Sequence, residues 1–383
     1  MKLLFASDSF KGSLTSAQTY QLLTQAAKHV FGTCETVGLQ VADGGEGTVE
    51  AILQAEQGQR ITACVHDPLM RKINADYGIF DQGKAIIEMS AASGLPLVEE
   101  NLRDPRNTST FGTGELLLHA LEQGAKDIFI AIGGSATNDG GTGCMQALGM
   151  RFLDQYGNAL TGTGGNLGRI AHIDSTGLDQ RLRDCSITIL SDVMNPLCGK
   201  QGATLTYGKQ KGATPEILEE LERGMLHFGQ IIRNEYGIDC STMPGAGAAG
   251  GLGAALKVFC NGTMRSGIET VLDLIHFDEY LNGVDLVVTG EGRTDWQSSY
   301  GKVIQGVGMR AKAKGIQAIC LSGSMGENAM GIFDYGISSI MTTVNAPMSL
   351  QEAMSNAEEL YLNSATRMFR LIQAGMKIRN ESA

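Results

Sequence analysis

The sequence lacks an excess of basic residues and any long apolar run. It has 30 Lys and Arg against 41 Asp and Glu, which gives a formal net charge of −11. Non-specific binding to nucleic acid needs a basic surface, so we expect no nucleic-acid partner. No apolar run reaches the roughly 18 residues of a transmembrane helix, and we predict no membrane span. The first residues, MKLLFASDSFKGS, are too few and too polar for a signal peptide. We therefore expect a cytoplasmic protein.

Several motifs with well-defined chemistry are also missing. No GxxxxGK[ST] segment occurs, which excludes a P-loop nucleotide site. The eight cysteines form no CxxC pair, so neither a zinc site nor a disulfide framework is predicted. The six histidines lie in no GxSxG or Cys–His context, which argues against acyl transfer. Residues 245–250 match GxGxxG, but Met243 and Pro244 precede them instead of a buried strand. NAD binding is therefore disfavoured.

Glycine, by contrast, is abundant, and apolar runs of strand length alternate with helical patterns. There are 51 glycines in 383 residues, mostly in short loops after the apolar runs, as is typical of tight turns and close backbone contact with ligands. Nearly continuous apolar strands separated by helices predict parallel sheets covered on both faces. We predict an α/β protein of two α/β domains. One is a Rossmann-like parallel-sheet domain built from both chain ends, residues 1–62 and 262–383. The other, residues 63–261, is inserted and carries the Gly-rich phosphate and substrate loops.

Carboxylates follow five of the predicted strands, beside glycine, amide or hydroxyl groups. They are Asp8, Asp43, Asp139, Asp192, Glu291 and Asp295. Any one of them alone could cap a helix or form a turn. In open parallel sheets, however, ligands bind beyond the carboxyl ends of the strands, so we expect these residues to converge at one edge. Converging carboxylates need a cation, and Mg²⁺ with a polyphosphate fits because Mg²⁺ prefers a few carboxylates, waters and phosphate oxygens.

The loop GGSATNDGG, residues 133–141, has the composition of a phosphate-binding segment. Its glycines allow backbone N–H groups to face an anion, Ser135 and Thr137 add hydroxyl donors, and a helix is predicted to begin at Thr142. A capped glycine turn is the structural alternative.

Basic residues are few near these loops. Lys11, Arg293 and Lys302 follow predicted strands and are candidates for anion binding, whereas Lys209 and Lys211 are more typical of solvated surface charges.

Six segments, in this order along the chain, resemble signatures of the bacterial glycerate kinase family, in its type I, glycerate 2-kinase branch. They are SDSFKGS at 7–13, VADGGEGT at 41–48, IGGSATNDGG at 132–141, SDVMNPLCG at 191–199, GAGAAGGLG at 245–253 and VTGEGRTD at 288–295. One departure occurs at Met194, where relatives often carry an acidic residue. If that acid binds metal in relatives, Asp192 must serve alone here.

The resemblance implies ATP-dependent phosphorylation of D-glycerate, with ATP and Mg²⁺ as cofactors. It favours 2-phosphoglycerate over 3-phosphoglycerate as the product, in glycerate and sugar-acid catabolism. The fold it implies is two α/β domains with the active site in the cleft between them. The expected partner is a small molecule, and a homodimer is left open.

We assign candidate roles on this basis. The groups that would accept the hydroxyl proton or stabilise the transferred phosphoryl group are Asp8, Lys11, Asp43, Asp139 and Arg293. Those expected at the nucleotide phosphates are Gly133, Gly134, Ser135, Thr137, Asn138 and Lys302. The expected Mg²⁺ ligands are Asp192 and Glu291 or Asp295.

Two other functions stay open at this point. A kinase for another hydroxy acid or sugar acid would keep the metal and nucleotide features but would fail with glycerate. A non-catalytic regulator that senses a sugar acid would bind a ligand without turning over ATP, and it would leave the strand-end carboxylates unexplained.

Overall fold

The chain alternates strands and helices, and the computed structural model describes residues 1–299 and 301–381. Within that part the strands β1 to β15 are Lys2–Phe5, Glu35–Gly38, Gln59–His66, Lys72–Phe80, Lys84–Glu88, Asp127–Ala131, Arg151–Leu153, His172–Asp174, Ser186–Leu190, Thr263–Arg265, Leu286–Thr289, Arg293–Thr294, Gln317–Ser322, Ser324–Met325 and Ile337–Thr342. The helices α1 to α13 are Ser16–Phe31, Thr48–Ala55, Ser90–Ser93, Phe111–Glu122, Thr142–Ala147, Ala203–Tyr207, Pro215–Tyr236, Leu252–Phe259, Gly267–Leu274, Phe277–Tyr280, Val303–Ala313, Leu350–Ser355 and Ala357–Glu381. In the described ranges no helix combines the length and the apolar character that a bilayer crossing requires.

The residues form two compact units, and the α/β prediction is confirmed. Unit 1 comprises Met1–Asp43 and Ile268–Ala383, and unit 2 is Gly44–Gly267. The chain ends thus form one unit, into which the other is inserted. Residues 44–62 and 262–267, which the sequence grouped with the first domain, belong to unit 2. The two ends of unit 2 lie together, since a Cβ atom on Gly44 would be 3.1 Å from the Cα of Gly267.

Unit 1 contains a five-stranded, fully parallel sheet in the order β15-β13-β11-β1-β2. Its strands are apolar runs such as Leu286–Thr289, all four residues of which are buried. Helices α1 and α13 pack together on this sheet, where Leu23 and Phe369 are fully buried with Phe5. Helix α1 begins with a capping box in which Thr15 accepts from the Gln18 amide and Gln18 bonds back to the Thr15 amide, so two unpaired helical N–H groups are satisfied.

Unit 2 contains a six-stranded mixed sheet in the order β10-β9-β6-β5-β4-β3. Strands β10, β9, β6 and β5 are parallel, whereas β4 pairs antiparallel with both β5 and β3. The parallel sheet expected for the domain of both chain ends is found in unit 1, whereas the sheet of unit 2 is parallel in four strands and antiparallel at β4. The long helix α7 begins at Pro215 after the Thr214 cap and ends at Gly237, in the left-handed conformation, as expected for proline at N1 and glycine at C′.

Two segments differ from their sequence patterns. Residues 349–373 read as one helix, but the chain breaks at Asn356 into α12 and α13. The Asn356 side chain donates to the Glu352 carbonyl at 3.0 Å and so competes for a helical acceptor. Strand β15 was not predicted because Ser338 and Ser339 interrupt its apolar pattern. It lies at the edge of the sheet and pairs with β13.

The segment GAGAAGG, residues 245–251, packs against the glycine-rich loop that follows β6. Gly250 has φ +66°, and a Cβ atom there would lie 2.0 Å from the Thr137 carbonyl oxygen. Its own carbonyl accepts from Gly140 N at 2.9 Å. The described residues just before this segment form no strand. The segment matches the letters of GxGxxG but is not the strand–turn–helix motif that binds dinucleotides. These glycines instead allow two loops to touch through their backbones.

We predict that Gly250→Ala destabilises the protein much more than Gly237→Ala. Both glycines have φ near +70°, so both substitutions bear the cost of a left-handed residue, about 1–2 kcal/mol. Only Gly250 faces a backbone atom, whereas nothing lies within 4 Å of a Cβ atom on Gly237. The clash should add about 1–3 kcal/mol. Urea unfolding of both variants measures the difference in the free energy of unfolding. Equal decreases in both variants would show that the two loops can move apart at little cost.

Candidate functional site

Unit 1 has a cavity of about 380 Å³, which we call the carboxylate pocket. It lies at the carboxyl ends of β1, β11, β13 and β15. It is lined by Asp8, Ser9, Phe10, Lys11, Ser13, Leu14, Asp43, Glu291, Gly292, Arg293, Lys302, Gly323, Ser324, Thr343, Val344, Leu350, Ala353, Met354, Ala357 and Tyr361. Parallel strands direct their carboxyl ends to one edge, where ligands bind in such sheets. Of the residues expected at the site, this pocket brings together six: Asp8, Lys11, Asp43, Glu291, Arg293 and Lys302.

The acidic side of this pocket consists of Asp8, Asp43 and Glu291. Asp8 and Glu291 are buried, at 9% and 7% exposure, and Asp43 is half-buried. Burial, and next the nearby charge of Asp43, raise the pKa of Asp8 to about 7. Burial also raises the pKa of Glu291, against the opposing effect of Lys302. Carboxylates crowded away from water repel one another, so a cation bound here would relieve an existing repulsion.

Three basic side chains line the same pocket. Lys302 Nζ lies 3.8 Å from Glu291 Oε2, and Lys302 is the residue that precedes helix α11. Arg293 is 66% exposed, with its Nε 3.5 Å from Asp295 Oδ2. Lys11 is exposed on the loop after β1. The pocket therefore combines buried carboxylates with basic side chains.

Part of the lining of the carboxylate pocket is apolar. Phe10 and Leu14 come from the loop after β1, Val344 follows β15, and Leu350 and Met354 come from α12. Leu350 is 76% exposed although it is a large apolar residue. Phe10 is held by an edge-on contact with Tyr361 at 5.3 Å between ring centroids. A ligand with an apolar, ring-sized part and an anionic part would match both parts of the lining.

Unit 2 has a second cavity, of about 340 Å³, which we call the lysine cavity. It is lined by Leu95, Pro96, Ile132, Gly133, Gly134, Ser135, Val193, Tyr207, Gln210, Lys211 and Ala249. Residues Gly133–Ser135 come from the loop after β6, as the sequence predicted for an anion-binding segment. The side chain of Lys211 is the one charged group among these lining residues.

Lys211 is the functional candidate that the sequence analysis undervalued. It is only 2% exposed, although its neighbours Lys209 and Gln210 are exposed. Its Nζ donates to Ser135 Oγ at 2.8 Å and to the Thr137 carbonyl at 2.5 Å. Burial lowers the pKa of Lys211 to about 7. The glycines on either side, in YGKQKGAT, were the available signal, since they allow the tight turn that directs this lysine inward.

The residues that follow Ser135 in the glycine-rich loop are buried and do not line the cavity. Thr137, Asn138 and Asp139 have no exposed surface. Asp139 accepts from the Thr110 amide and hydroxyl and from the amides of Gly141 and Gly143. Burial raises its pKa, and these hydrogen bonds oppose the rise. This placement argues against Asp139 as the group that accepts a substrate proton, because all its contacts hold the loop together.

The strand-end residues do not meet at one edge, as the sequence suggested, because their strands belong to two sheets. Strands β1 and β11 lie in unit 1, whereas β6 and β9 lie in unit 2. Asp192, after β9, accepts from Gly267 N at 3.2 Å. Asp295 lies in unit 1 but does not line the carboxylate pocket. Over residues 1–299 and 301–381, no three His, Cys, Asp or Glu residues are already placed around a common metal position.

Comparison with known proteins gives a consistent result. The model of the glycerate kinase family matches residues 3–373. The glycerate 2-kinase of Escherichia coli K12 is 42% identical over 378 residues, covering 98% of this chain and 99% of its own. The glycerate kinase of Bacillus cereus is 43% identical, over 94% of each chain. A crystal structure of a Salmonella typhimurium LT2 protein assigned as glycerate kinase 2 superposes with a TM-score of 0.85 at 41% identity, covering 98% of this chain and 99% of that one.

The buried lysine gives a prediction on stability against pH. Folded Lys211 loses its proton near pH 7, whereas the unfolded chain keeps it to about 10.5. Between these values the unfolded state binds more protons, so this group makes stability rise with pH. Between pH 7 and 9, the free energy of unfolding of the wild type should rise by up to ~1.4 kcal/mol per pH unit relative to that of Lys211→Met.

Urea unfolding at several pH values measures this difference. The matched control is Lys209→Met, because Lys209 belongs to the same turn and is exposed. The free energy of unfolding of Lys209→Met should depend on pH as that of the wild type does. If Lys211→Met also shows the pH dependence of the wild type, Lys211 keeps an ordinary pKa in the folded protein.

Proposed function

The chain belongs to the glycerate kinase family, and we propose that it transfers the terminal phosphoryl group of ATP to the 2-hydroxyl of D-glycerate, giving 2-phosphoglycerate. The family is one of kinases, which implies the use of ATP. The observation that carries the proposal is the carboxylate pocket, where Asp8, Asp43 and Glu291 lie with three basic side chains. The choice of the 2-hydroxyl rests on the likeness to the Escherichia coli glycerate 2-kinase. We place the reaction in the cytoplasm, in glycerate and sugar-acid catabolism.

The carboxylate pocket fits a magnesium ion. Its acidic side offers only oxygen ligands, and burial raises the pKa values of Asp8 and Glu291, so a bound cation would stabilise their ionised forms. Mg²⁺ is usually held by one or two carboxylates together with waters and substrate phosphates, so a preformed set of three protein ligands is not required. We propose Glu291 as the carboxylate of this pocket that holds it. Asp192 and Asp295 stay predicted ligands. When bound, the ion would neutralise charge on the phosphate oxygens.

The basic residues would bind and orient the phosphates. Phosphoryl transfer asks the protein chiefly for positioning and for stabilisation of charge on the transferred group. Lys302 stands at the start of α11, an 11-residue helix, so its ammonium and the helix N-terminus can act on the same anion. Lys11 lines the same cavity from the loop after β1, and Arg293 lines it from strand β12. Their exposed side chains can follow a phosphate without breaking buried contacts.

The apolar part of the pocket lining suits the adenine ring. Pockets of about 300–1,000 Å³ are typical for ligands of nucleotide size, and about 380 Å³ is more space than a three-carbon acid needs. Leu14, Val344 and Met354 offer apolar surface to a planar base. We propose that the base lies there, with its phosphates toward Lys302.

Asp8 and Asp43 remain the candidates to accept the proton of the attacking hydroxyl. Both line the carboxylate pocket, and neither is enclosed in loop hydrogen bonds as Asp139 is. Asp8 Oδ1 accepts from the Ser9 amide at 2.7 Å, which fixes the carboxylate and leaves its other oxygen for a substrate. A general base needs such reach to the proton it takes.

The first prediction of this function is glycerate-dependent release of ADP. Purified protein with ATP and Mg²⁺ should release ADP when D-glycerate is added, and phosphorus NMR should show the phosphate coupled to the single proton on C2. Coupling to two protons would show attack by the 3-hydroxyl instead. Without glycerate-dependent turnover by folded protein, a panel of other hydroxy acids and sugar acids would decide whether the acceptor is different.

A second prediction concerns magnesium. Glu291→Gln removes a ligand charge, so the Mg²⁺ concentration for half-maximal activity should rise by about tenfold or more, a size typical of losing one charged contact. Asp192→Asn tests the ligand predicted in unit 2 in the same way. Glu359→Gln, on an exposed position of α13, is the control and should leave the magnesium dependence unchanged. An unaltered dependence in both Glu291→Gln and Asp192→Asn would rule out this ligation.

A further inference from the structure

Lys211 is a buried cation without a protein counter-ion. Its Nζ contacts two neutral oxygens, Ser135 Oγ and the Thr137 carbonyl. The carboxylate that acts on it electrostatically is Asp139, whose oxygens are already engaged by Thr110, Gly141 and Gly143. In the described part of the chain, no carboxylate forms an ion pair with Lys211. An isolated buried ammonium is costly, so such a residue calls for an explanation beyond packing.

The count of donors shows what could complete the site. A neutral amine has two N–H groups, which the contacts with Ser135 and Thr137 use fully. A protonated lysine has three donors. The third has no acceptor among the contacts of Lys211, while the side chain borders a cavity of about 340 Å³. A ligand oxyanion in that cavity would supply both an acceptor and the missing negative charge.

The wall beside Lys211 suits an anion as well. Gly133 and Gly134 put backbone at the cavity surface, and Ser135 is half-buried there. Gly134 has φ +76°, a conformation open to glycine without strain. Tyr207 also lines the cavity, and its hydroxyl donates to Asn195 Oδ1 at 2.9 Å. None of the lining residues is acidic, so nothing in the wall would repel an anion.

We propose that Lys211 and the loop Gly133–Ser135 form an oxyanion-binding site of the kinase, in which the ligand provides the counter-ion for the buried lysine. The oxyanion is either a phosphate group of the nucleotide or the carboxylate of the acid substrate. This identification of the ligand rests on the proposed function. The existence of the site rests on the burial and contacts of Lys211. Lys211 is thus a binding residue for the reaction, and its protonation accompanies binding.

Direct binding measurements test the proposal without turnover. Isothermal calorimetry gives the Kd of ATP and of D-glycerate for the wild type, Lys211→Met and Lys209→Met. Loss of a charged hydrogen bond should weaken one of the two ligands by about 10- to 100-fold in Lys211→Met, and Lys209→Met should bind as the wild type does. Weaker binding of ATP would identify a nucleotide phosphate as the ligand group, and weaker binding of D-glycerate would identify the substrate carboxylate.

Proton uptake tests the proposal on the wild type alone, in case Lys211→Met does not fold. Calorimetry at pH 8.5 in two buffers with different ionisation enthalpies measures the protons bound with the ligand. Lys211 is largely neutral there, so binding should take up close to one proton. Asp139 acts on the ammonium electrostatically and accepts four hydrogen bonds. Tyr207 lines the cavity, and because burial raises its pKa it is already protonated at this pH.

The outcomes separate the two proposals. If Lys211→Met binds both ligands within twofold of Lys209→Met and the wild type takes up no proton, the site is disproved while the kinase function stands. If the wild type binds a ligand through Lys211 but releases no ADP with D-glycerate, the function fails and the site stands.

Discussion

Close contact between backbone segments, at distances that a Cβ atom would prevent, is the constraint on which both sites depend. In unit 1 a Cβ atom on Gly290 would lie 2.0 Å from the Leu321 carbonyl oxygen, and one on Gly323 would lie 2.3 Å from that of Gly292. In unit 2 the equivalent contact joins Gly250 to Thr137. The loops after the strands can therefore stack on one another directly. Glu291 and Ser135 owe their positions to these contacts, which explains why the chain has so many glycines where the chemistry lies.

The two cavities answer the problem of buried charge in opposite ways. The carboxylate pocket buries Asp8 and Glu291, and this burial, with a smaller contribution from the charge of Asp43, raises their pKa values. Beside the lysine cavity, burial lowers the pKa of the Lys211 ammonium, whose hydrogen-bond acceptors are neutral. In both, the folded protein retains an electrostatic cost that a ligand of the opposite sign would remove. A metal bound in the first cavity, or an oxyanion bound in the second, would therefore remove a cost that is already present in the folded protein.

Local sequence patterns predicted most helices and strands, whereas only the structure showed which strands pair with one another. The sequence pattern predicts a helix over 215–236 and strands over 186–190 and 317–322, and α7, β9 and β13 have these bounds. Caps and apolar runs are encoded within a few residues. The grouping of strand ends was wrong, since β6 and β9 join a different sheet from β1 and β11. Nothing local states which sheet a strand enters. The burial of Lys211 was missed for the same reason: it depends on contacts with residues more than 70 positions away.

The meeting of Gly44 and Gly267 has a consequence for the history and engineering of the chain. A segment whose first and last residues are neighbours can be inserted into a host, or removed from it, without separating the host's two flanking ends. Unit 2 has this property, with its own sheet and its own hydrophobic core. It is accordingly a transferable module: expressed from residue 44 to 267, it has the contents of an autonomous folding unit, and a few residues would suffice to join its ends into a circle.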